Sequence, residues 1–550
     1  MANEQYDLVV IGGGIYGACV ARDAALRGLR VALVERGDFG GATSANSLKI
    51  IHGGLRYFQD GDLRLVRRMS QERQTWLRIA PHLVHPLPCV MPTYPSLTRG
   101  RAAIQAALAM NDFLSLDRNR LPDPQKHLPA GRIIAAEAYR QHLPGLADQN
   151  VTGVVAWHDA QMYNSERLTL SCVLAAAAAG ASVANYVAAI GFLRSGQHIT
   201  GICAKDVFTD VTWDLRAKIV VNAAGPWVGE MLNGLGDHRC LHPFYPSVAM
   251  NLVTRQIIPR YAAAIPSRHS VRNGKRIPLR KPHMLLIVPW RSYSLIGTVH
   301  LPYEEGKGRP AAREQAIGDF VDEVNAAYPG AQLGRYDVHL VHTGLLPAKS
   351  NYDNGRIKLL RQSQIIDHRR TDGLEGLITV VGVKYTLARY VAEKVVDLAF
   401  QKLGEGRSRC RSATTPLRGG QIEHFDDFLA EAIVRRPRGL SPAAVGRLVR
   451  NYGSEYRHVL AYLDERAAGE RAIEKTSQIL VAEVKHGIRV EMAHKLADVI
   501  QRRTELGSAG RPAPSYLDLC AEVMAAELGW NRERKEREIM EIEAIYTRIA

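Results

Sequence analysis

The chain opens with apolar and small-residue stretches that predict a strand, a tight turn, a helix and a second strand. Residues 6–11 form an apolar run of strand length, and the glycine-rich stretch 12–17 follows directly. Residues 18–28 are small and apolar with spaced charges, which is typical of a buried helix, and residues 29–34 are apolar again before Glu35. The pattern therefore predicts a βαβ unit that ends on an acidic residue.

Each part of this unit suits a dinucleotide. Gly12 permits the turn, Gly14 lets a pyrophosphate approach the backbone, and Gly17 allows close packing of helix on strand. The helix N-terminus offers free N–H groups and a partial positive charge to the phosphates. Glu35 can accept both hydroxyls of a ribose, which favours a free 2′-OH over a 2′-phosphate. A purely structural glycine turn would leave Glu35 unexplained.

Two later stretches invite a membrane interpretation. Residues 168–193 carry no charge and exceed the roughly 20 residues needed to span a bilayer. They are mostly alanine and are interrupted by Gly180, so we predict a helix, a glycine end and a buried strand at 182–190 that rejoins a parallel sheet. Residues 62–79 predict an amphipathic helix that lies on a membrane surface or, as we favour, packs on the nucleotide domain.

The rest of the chain predicts three domains. Residues 218–222 form a strand that leads into a second glycine turn, and residues 377–384 form a strand that meets a helix over 385–402. Strand candidates at 247–253, 284–289 and 294–298 alternate with turns and favour an antiparallel sheet. Residues 404–420 are typical of a linker. The expected domains are nucleotide-binding at 1–60, 150–240 and 346–403, substrate-binding at 61–149 and 241–345, and helical at 421–550.

Composition narrows the class of protein. The 550 residues are 46% hydrophobic and 23% charged, as in ordinary soluble proteins. The seven cysteines are scattered, which argues against disulfides or a zinc site and favours a reducing compartment. The first strand begins too early to leave room for a signal peptide. The formal charge of +16 fits an anionic substrate, a membrane surface or a functionless basic surface, and no nucleic-acid module is evident.

Further motifs resemble one family over nearly the whole chain. That family is the FAD-dependent glycerol-3-phosphate dehydrogenases and oxidases, and the matching stretches beyond the glycine turn are 43–44, Lys49, 51–57, 221–227, 380–386, 452–455 and 486–493. The run 51–57 is specific, whereas the glycine turn alone is not. The resemblance implies an α/β fold with a Rossmann-like FAD domain of the glutathione reductase and D-amino-acid oxidase type, an antiparallel substrate domain and a helical C-terminal domain.

The resemblance also implies where FAD is held. Small and hydroxyl-bearing residues after Glu35 suit backbone that lies close to a flat ring. The expected cofactor contacts are Gly12, Gly14, Gly17, Glu35, Thr43, Ser44, Lys49, Gly53, Ala224, Gly225, Gly382, Lys384 and Thr386.

Dehydrogenating an alcohol requires a base for the hydroxyl proton and cations for an anionic substrate. His52 and Lys384 are the candidate bases, because imidazole exchanges protons near neutral pH and Lys384 lies where the third glycine turn meets a helix. A buried structural histidine and an ordinary surface lysine are the alternatives. Arg56 offers a planar fork to phosphate or carboxylate, with Tyr57 beside it and Arg361 as a further candidate.

The substrate region departs from the family pattern. Leu346 stands where the family has the arginine that grips the substrate, and Val299 and His300 stand in a Gly-Thr-Thr-Asp-like run. Relative to the family pattern, the substrate site loses one positive charge and gains an apolar side chain. Leu346 is therefore expected to shape the substrate site.

The sequence predicts an FAD-dependent dehydrogenase of glycerol 3-phosphate or a related hydroxy compound. One alternative is oxidation of a different, less phosphate-dependent hydroxy or amino acid, and another is a flavin-binding membrane module without turnover. The resemblance implies electron transfer to quinone or another acceptor and peripheral membrane association. We expect a cytoplasmic protein, at the inner face of the membrane if it associates, and a homodimer is considered.

Overall fold

The computed structural model describes residues 1, 4–95, 100–135, 139–146, 150–233, 235, 245–303, 313–353, 356–406, 408–463 and 475–547. Two β-sheets and a C-terminal group of helices make up the fold.

The first sheet has eight strands and a parallel centre. Its strands are β1 (Gln5–Ile11), β2 (Val31–Glu35), β7 (Ser182–Asn185), β8 (Val187–Ser195), β9 (His198–Asp206), β10 (Thr212–Asn222), β17 (Gln364–Asp367) and β18 (Leu377–Val381). They run in the order β17-β18-β10-β1-β2-β7, with β9 and β8 continuing from β10. The pairs that join β18, β10, β1, β2 and β7 are parallel.

Three helices cover one face of this sheet. Helix α1 (Ile15–Leu26) packs between α5 (Ser165–Ala178) and α9 (Ala388–Leu403), and their apolar side chains form one core with β1 and β18. Helix α1 begins directly after Gly14, earlier than the sequence predicts, so its N-terminus lies at the carboxyl end of β1. The expected helix at 385–402 starts as a 3₁₀ turn, Tyr385–Leu387.

The second sheet has ten, mostly antiparallel, strands. They are β3 (Ile50–Ile51), β4 (Val84–Thr93), β5 (Arg132–Ala135), β6 (Gly153–Met162), β11 (Tyr245–Arg255), β12 (Ala262–Arg272), β13 (Lys275–Trp290), β14 (Tyr293–Pro302), β15 (Val338–Asp353) and β16 (Arg356–Leu359). Their order is β16-β15-β11-β14-β13-β12-β4-β6-β3, with β5 on β6. Helices α2 (Leu63–Ile79), α3 (Arg101–Leu114), α4 (Tyr139–His142) and α7 (Glu314–Ala327) lie among these strands in the chain, whereas α6 (Val228–Asn233) and α8 (His368–Asp372) contact β18 of the first sheet.

Strand pairing crosses the domain ranges that the sequence predicts. Strands β3 and β6 belong to the second sheet although they fall in ranges 1–60 and 150–240, and β15 and β16 continue that sheet beyond residue 345. The physical reason is that an apolar strand pattern does not specify the sheet that a strand joins.

The uncharged stretch 168–193 folds largely as expected. Helix α5 ends before Gly180, which has φ +98°, and β7 pairs in parallel with β2. The predicted strand 182–190 is broken at Tyr186, whose φ of +57° separates β7 from β8 and whose hydroxyl donates to Asp498 at 2.6 Å. In the described ranges of the chain, no helix is both long enough and apolar enough to cross a membrane.

The C-terminal helices lie against the first sheet through buried ion pairs. Asp38, just after β2, pairs with Arg502 and with Arg503, whose Nη2 lies 2.7 Å from Asp38 Oδ1. Arg167 of α5 pairs with Glu491. The helices are α10 (Phe425–Val434), α11 (Pro442–Tyr452), α12 (Tyr456–Leu460), α13 (Lys475–Arg489), α14 (Leu496–Asp498), α15 (Pro514–Leu528) and α16 (Arg532–Thr547).

Candidate active site

A cavity of about 1090 Å³ lies where the carboxyl ends of the parallel strands meet the second sheet. Its wall combines the first glycine turn, Glu35, the segment 40–50, the second turn at 223–228 and the third at 380–386. Ligands of open α/β sheets bind at this edge of the strands. The cavity therefore brings together the three glycine turns that the sequence predicted separately.

The first glycine turn is as tight as the sequence predicts. Gly12 has φ +103°, and a Cβ there would lie 2.6 Å from the Ala223 carbonyl oxygen. A Cβ at Gly17 would lie 1.9 Å from the Gly12 carbonyl oxygen, so only glycine lets α1 pack this closely on β1. Gly14 lines the cavity, and the Ile15 N–H donates to Ser44 Oγ at 3.0 Å.

Glu35 is fixed at the end of β2 by backbone donors. The Gly13 N–H donates to Oε2 at 2.7 Å and the Gly37 N–H donates to Oε1 at 2.8 Å. Burial raises the pKa of Glu35, and the two N–H donors oppose that shift. Each carboxylate oxygen keeps a further lone pair, so Glu35 can still accept ribose hydroxyls.

Thr43 and Lys49 hold the segment 40–50 in place. Thr43 Oγ1 donates to the Leu345 carbonyl oxygen at 3.0 Å and accepts from the Leu345 N–H at 3.1 Å, which ties this segment to β15. The fully buried Lys49 ammonium donates to Glu166, Ser165 and the Ala45 carbonyl oxygen. Its three donors are thus satisfied within the protein, and its direct contact with a cofactor stays a prediction.

The glycines of the second and third turns differ in how much space surrounds them. At Gly225, with φ +59°, a Cβ would have no atom of the described residues within 4 Å, and Ala224 lines the same part of the cavity. At Gly382, a Cβ would lie 2.3 Å from the ring of Tyr16. Gly382 therefore makes room for an aromatic side chain of the protein itself.

His52 lies at the cavity with a carboxylate behind it that the sequence analysis missed. Its Nδ1 is 3.4 Å from Asp159 Oδ2, and its side chain is 44% exposed. The backbone N–H of His52 donates to Thr386 Oγ1 at 3.1 Å. Asp159 follows an apolar stretch in β6. An acidic residue after such a stretch is the feature of the sequence that could have identified it as a site residue.

Gly53 makes room for Arg73. Its N–H donates to Asp159 Oδ1 at 2.6 Å, and a Cβ would lie 2.1 Å from Arg73 Nη1. The structure thus gives Gly53 a packing role, because the guanidinium needs the space. Its contact with the cofactor, expected from the motif, stays a prediction.

Lys384 and Tyr57 line the cavity, and Lys384 forms a cationic group with Arg56 and Arg361, which are not among the described residues that line it. Lys384 Nζ lies 5.0 Å from the centroid of the Tyr57 ring and donates to the Arg361 carbonyl oxygen. Burial, Arg56 and Arg361 lower the pKa of Lys384 to about 8, against the opposing charge of Asp62. Arg56 and Arg361 are exposed, so the group presents positive charge to an anion that approaches the cavity.

Of the departures from the family pattern, Leu346 lines the cavity, whereas Val299 and His300 are not among the described lining residues. Leu346 is half-buried in β15 and lines the cavity. Arg291 does not replace the missing cation, because it pairs with Glu505 and contacts Ser508 without lining the cavity. Burial, His283 and Arg56 lower the pKa of His300 to about 4, which leaves its imidazole neutral at physiological pH.

The residues present fit FAD. Glycine backbone lines the cavity at Gly12, Gly14 and Gly225, the N-terminus of α1 reaches it, and the Glu35 carboxylate lies in its wall. These are the features that bind a dinucleotide pyrophosphate and ribose.

Family comparisons agree with this geometry. Residues 7–398 match the FAD dependent oxidoreductase family, and residues 410–535 match the C-terminal domain of alpha-glycerophosphate oxidase. The chain is 32% identical over 562 residues to a glycerol-3-phosphate dehydrogenase of Synechocystis sp., covering 98% of this chain and 95% of that one. It is 29% identical to a glycerol-3-phosphate dehydrogenase of Mycobacterium leprae, covering 98% and 87%.

Solved structures give the same assignment. The glycerol-3-phosphate dehydrogenase from Bacillus halodurans complexed with FAD superposes with a TM-score of 0.76 at 25% identity, covering 100% of this chain and 96% of that one. Glycine oxidase from Bacillus cereus, with a TM-score of 0.50 at 16% identity over 74% of this chain and 99% of that one, shares the fold alone. The matched ranges, the three glycine turns and the fold together show that this chain is an FAD-dependent oxidoreductase of the glycerol-3-phosphate dehydrogenase family.

Proposed function

We propose that this protein oxidises the secondary alcohol of glycerol 3-phosphate. The observation that carries the proposal is the position of His52 and Lys384 at the FAD cavity, with Arg56 and Arg361 beside Lys384. The names of the relatives support the same substrate. FAD, when bound, supplies a two-electron acceptor for the hydride on the substrate carbon.

The chain divides the remaining work among its own residues. Backbone N–H groups at Gly14 and the start of α1 bind the pyrophosphate, and Glu35 orients the ribose. His52 takes the proton of the substrate hydroxyl, since its exposed ring reaches the cavity. Lys384 and Arg56 bind the phosphate by charge and hydrogen bonding.

A second substrate class is favoured by one observation. Leu346 lines the cavity beside the buried Leu345, where the family pattern has an arginine. Apolar bulk there suits a hydroxy or amino acid with a larger apolar portion, because a charged phosphate beside leucine would lose hydration without gaining a partner.

We also propose a peripheral association with an anionic membrane and transfer of electrons to a quinone there. Phe113 and Leu116 are 66% and 77% exposed around the end of α3, and Arg101 and Arg120 are exposed nearby in the sequence. Exposed apolar side chains flanked by cations are typical of interfacial helices. Flotation with anionic vesicles tests this, and the double change Phe113→Ser and Leu116→Ser should abolish co-flotation. A cytoplasmic location at the inner membrane face and a homodimer remain proposals.

The deciding experiment is anaerobic reduction of the flavin in purified protein. Glycerol 3-phosphate should bleach the flavin absorbance, while a panel of hydroxy acids and amino acids tests the second class. His52→Gln should slow reduction by roughly 10²-fold or more with FAD retained. A flavin that no member of the panel reduces would instead favour a flavin-binding module without turnover.

A further inference from the structure

Asp159 is a buried carboxylate that contacts four hydrogen-bonding groups of the described residues. Oδ1 accepts from the Gly53 N–H at 2.6 Å and from Arg73 Nη1 at 2.9 Å. Oδ2 lies 3.4 Å from His52 Nδ1 and 3.4 Å from Trp157 Nε1. The two oxygens are therefore distinct: Oδ1 is bound to the scaffold, and Oδ2 faces the imidazole.

This arrangement decides which nitrogen of His52 is free for chemistry. A carboxylate accepts hydrogen bonds and does not donate them, so it favours the tautomer with the proton on Nδ1. Nε2 then carries the lone pair. Since nearly half of the His52 side chain is exposed at the cavity, Nε2 is the nitrogen available to a substrate hydroxyl.

The carboxylate also stays charged. Burial raises the pKa of Asp159, but the hydrogen bond and charge of His52, Arg73 and the Gly53 N–H outweigh it and hold the pKa well below its usual range. Cys89 of β4 and His158 of β6 are further titratable groups, among the described residues, that interact with Asp159. The Cys89 thiol stays neutral, because burial raises its pKa, and burial and Arg73 lower the pKa of His158.

We infer that Asp159 is a positioning residue for His52, fixing its Nδ1–H tautomer and stabilising the imidazolium that forms when Nε2 accepts the substrate hydroxyl proton. Arg73 in turn holds Asp159 through Oδ1. The inference rests on the proposed alcohol oxidation for its kinetic consequence, whereas its claim about the imidazole can be measured without any substrate.

The change Asp159→Asn tests the inference with almost no change in shape. Oδ1 must remain an acceptor for Gly53 and Arg73, so the amide NH₂ takes the position of Oδ2 and donates to Nδ1. The imidazole then carries its proton on Nε2, which is the wrong tautomer for a base. We expect flavin reduction at saturating glycerol 3-phosphate to slow by roughly 10²-fold or more with FAD retained.

A substrate-free readout separates this inference from the proposed substrate. Nitrogen-15 NMR of histidine-labelled protein at alkaline pH reports which ring nitrogen of His52 carries the proton, and His52→Gln identifies its signals. The proton should lie on Nδ1 in the wild type and on Nε2 in Asp159→Asn. Arg73→Gln leaves the Asp159 carboxylate in place, so His52 should keep its proton on Nδ1 in that second variant.

Asp123→Asn is the matched control, because Asp123 is also buried and accepts two backbone N–H groups, from Gln125 and Phe425, away from the cavity. It should leave the reduction rate and the His52 tautomer unchanged. An Nδ1–H tautomer that persists in Asp159→Asn, with or without slower reduction, would overturn the positioning role and reduce Asp159 to a scaffold residue. If the tautomer changes while glycerol 3-phosphate fails to reduce wild-type flavin, the positioning role stands and the proposed substrate fails.

Discussion

The Tyr16 hydroxyl donates to the carbonyl oxygen of Lys384 at 2.7 Å. The hydroxyl oxygen of Tyr16 also accepts from the N–H groups of Val383 and Lys384 at 3.1 and 3.0 Å. Tyr16 lies in the first turn of α1, so the start of this helix and the third glycine turn share one hydrogen-bonded centre. The first and third glycine turns are thereby set relative to each other.

Tyr16→Phe should loosen this centre without creating a cavity. The change removes several hydrogen bonds of about 1 kcal/mol each, so we expect the dissociation constant of FAD to rise by roughly tenfold or more. Fluorescence of released flavin during dilution measures it. Tyr328→Phe is the control, because the Tyr328 hydroxyl also bonds a backbone carbonyl, that of Pro144, outside the cavity. Equal FAD affinity in both variants would contradict the structural role of the Tyr16 hydroxyl.

Gly14→Val should block FAD binding. Even a Cβ at Gly14 would lie 3.3 Å from Ser44 Oγ, and the two further methyl groups would occupy the space that the pyrophosphate needs. The purified variant should be colourless, with no flavin absorbance after incubation with FAD. Gly318→Ala, at a helical glycine where a Cβ would meet no described atom within 4 Å, should bind FAD like the wild type. A yellow Gly14→Val protein would contradict the assignment of this turn.

The charge of Lys384 should give substrate binding a pH dependence. Because its pKa is lowered to about 8, the ammonium is present below that pH and is lost above it. The Michaelis constant for an anionic substrate should therefore rise as the pH passes about 8, whereas Lys384→Arg should abolish the rise because guanidinium stays charged. If Lys384 is instead the base, kcat should increase toward that pH, and the two roles are thus distinguishable from one pH series.

Leu346→Arg should increase activity on glycerol 3-phosphate. A charge-assisted hydrogen bond contributes about 1.5–3 kcal/mol, which corresponds to roughly one to two orders of magnitude in affinity. Comparing kcat/KM for glycerol 3-phosphate between the variant and wild type measures the effect, and Leu346→Met controls for the change in shape. Efficient wild-type turnover with a micromolar Michaelis constant would contradict the prediction that Leu346 weakens phosphate binding.

Asp38→Asn should destabilise the junction between the first sheet and the C-terminal helices. It leaves Arg503 without its carboxylate partner at Asp38, and breaking such a buried pair costs about 3–5 kcal/mol. Thermal unfolding should occur at lower temperature, with earlier release of FAD. Arg503 and Arg502 outweigh burial and depress the pKa of Asp38, so its contribution is present above about pH 4 and is lost on further acidification. The variant should therefore show a weaker acid dependence of stability than wild type.

Most of the candidate site residues were assigned from the family resemblance, whereas the helices and strands were predicted from the local pattern of apolar and polar residues. The strand and glycine turn at residues 6–17 were predictable because an apolar run and residues without Cβ leave few backbone alternatives. The sheet membership of β6 and the break at Tyr186 were not predictable, because pairing partners come from distant parts of the chain.

The sequence by itself determined the first glycine turn and the acidic residue that follows it, since Gly12, Gly14, Gly17 and Glu35 are close neighbours in one βαβ unit whose geometry is local. Only the tertiary structure decided which residues form hydrogen bonds with each candidate functional group from distant parts of the chain. Asp159 faces His52 across 107 positions of the chain, and Tyr16 meets Lys384 across 368. Such contacts depend on how two sheets pack, and no local pattern of apolar and polar residues records that packing.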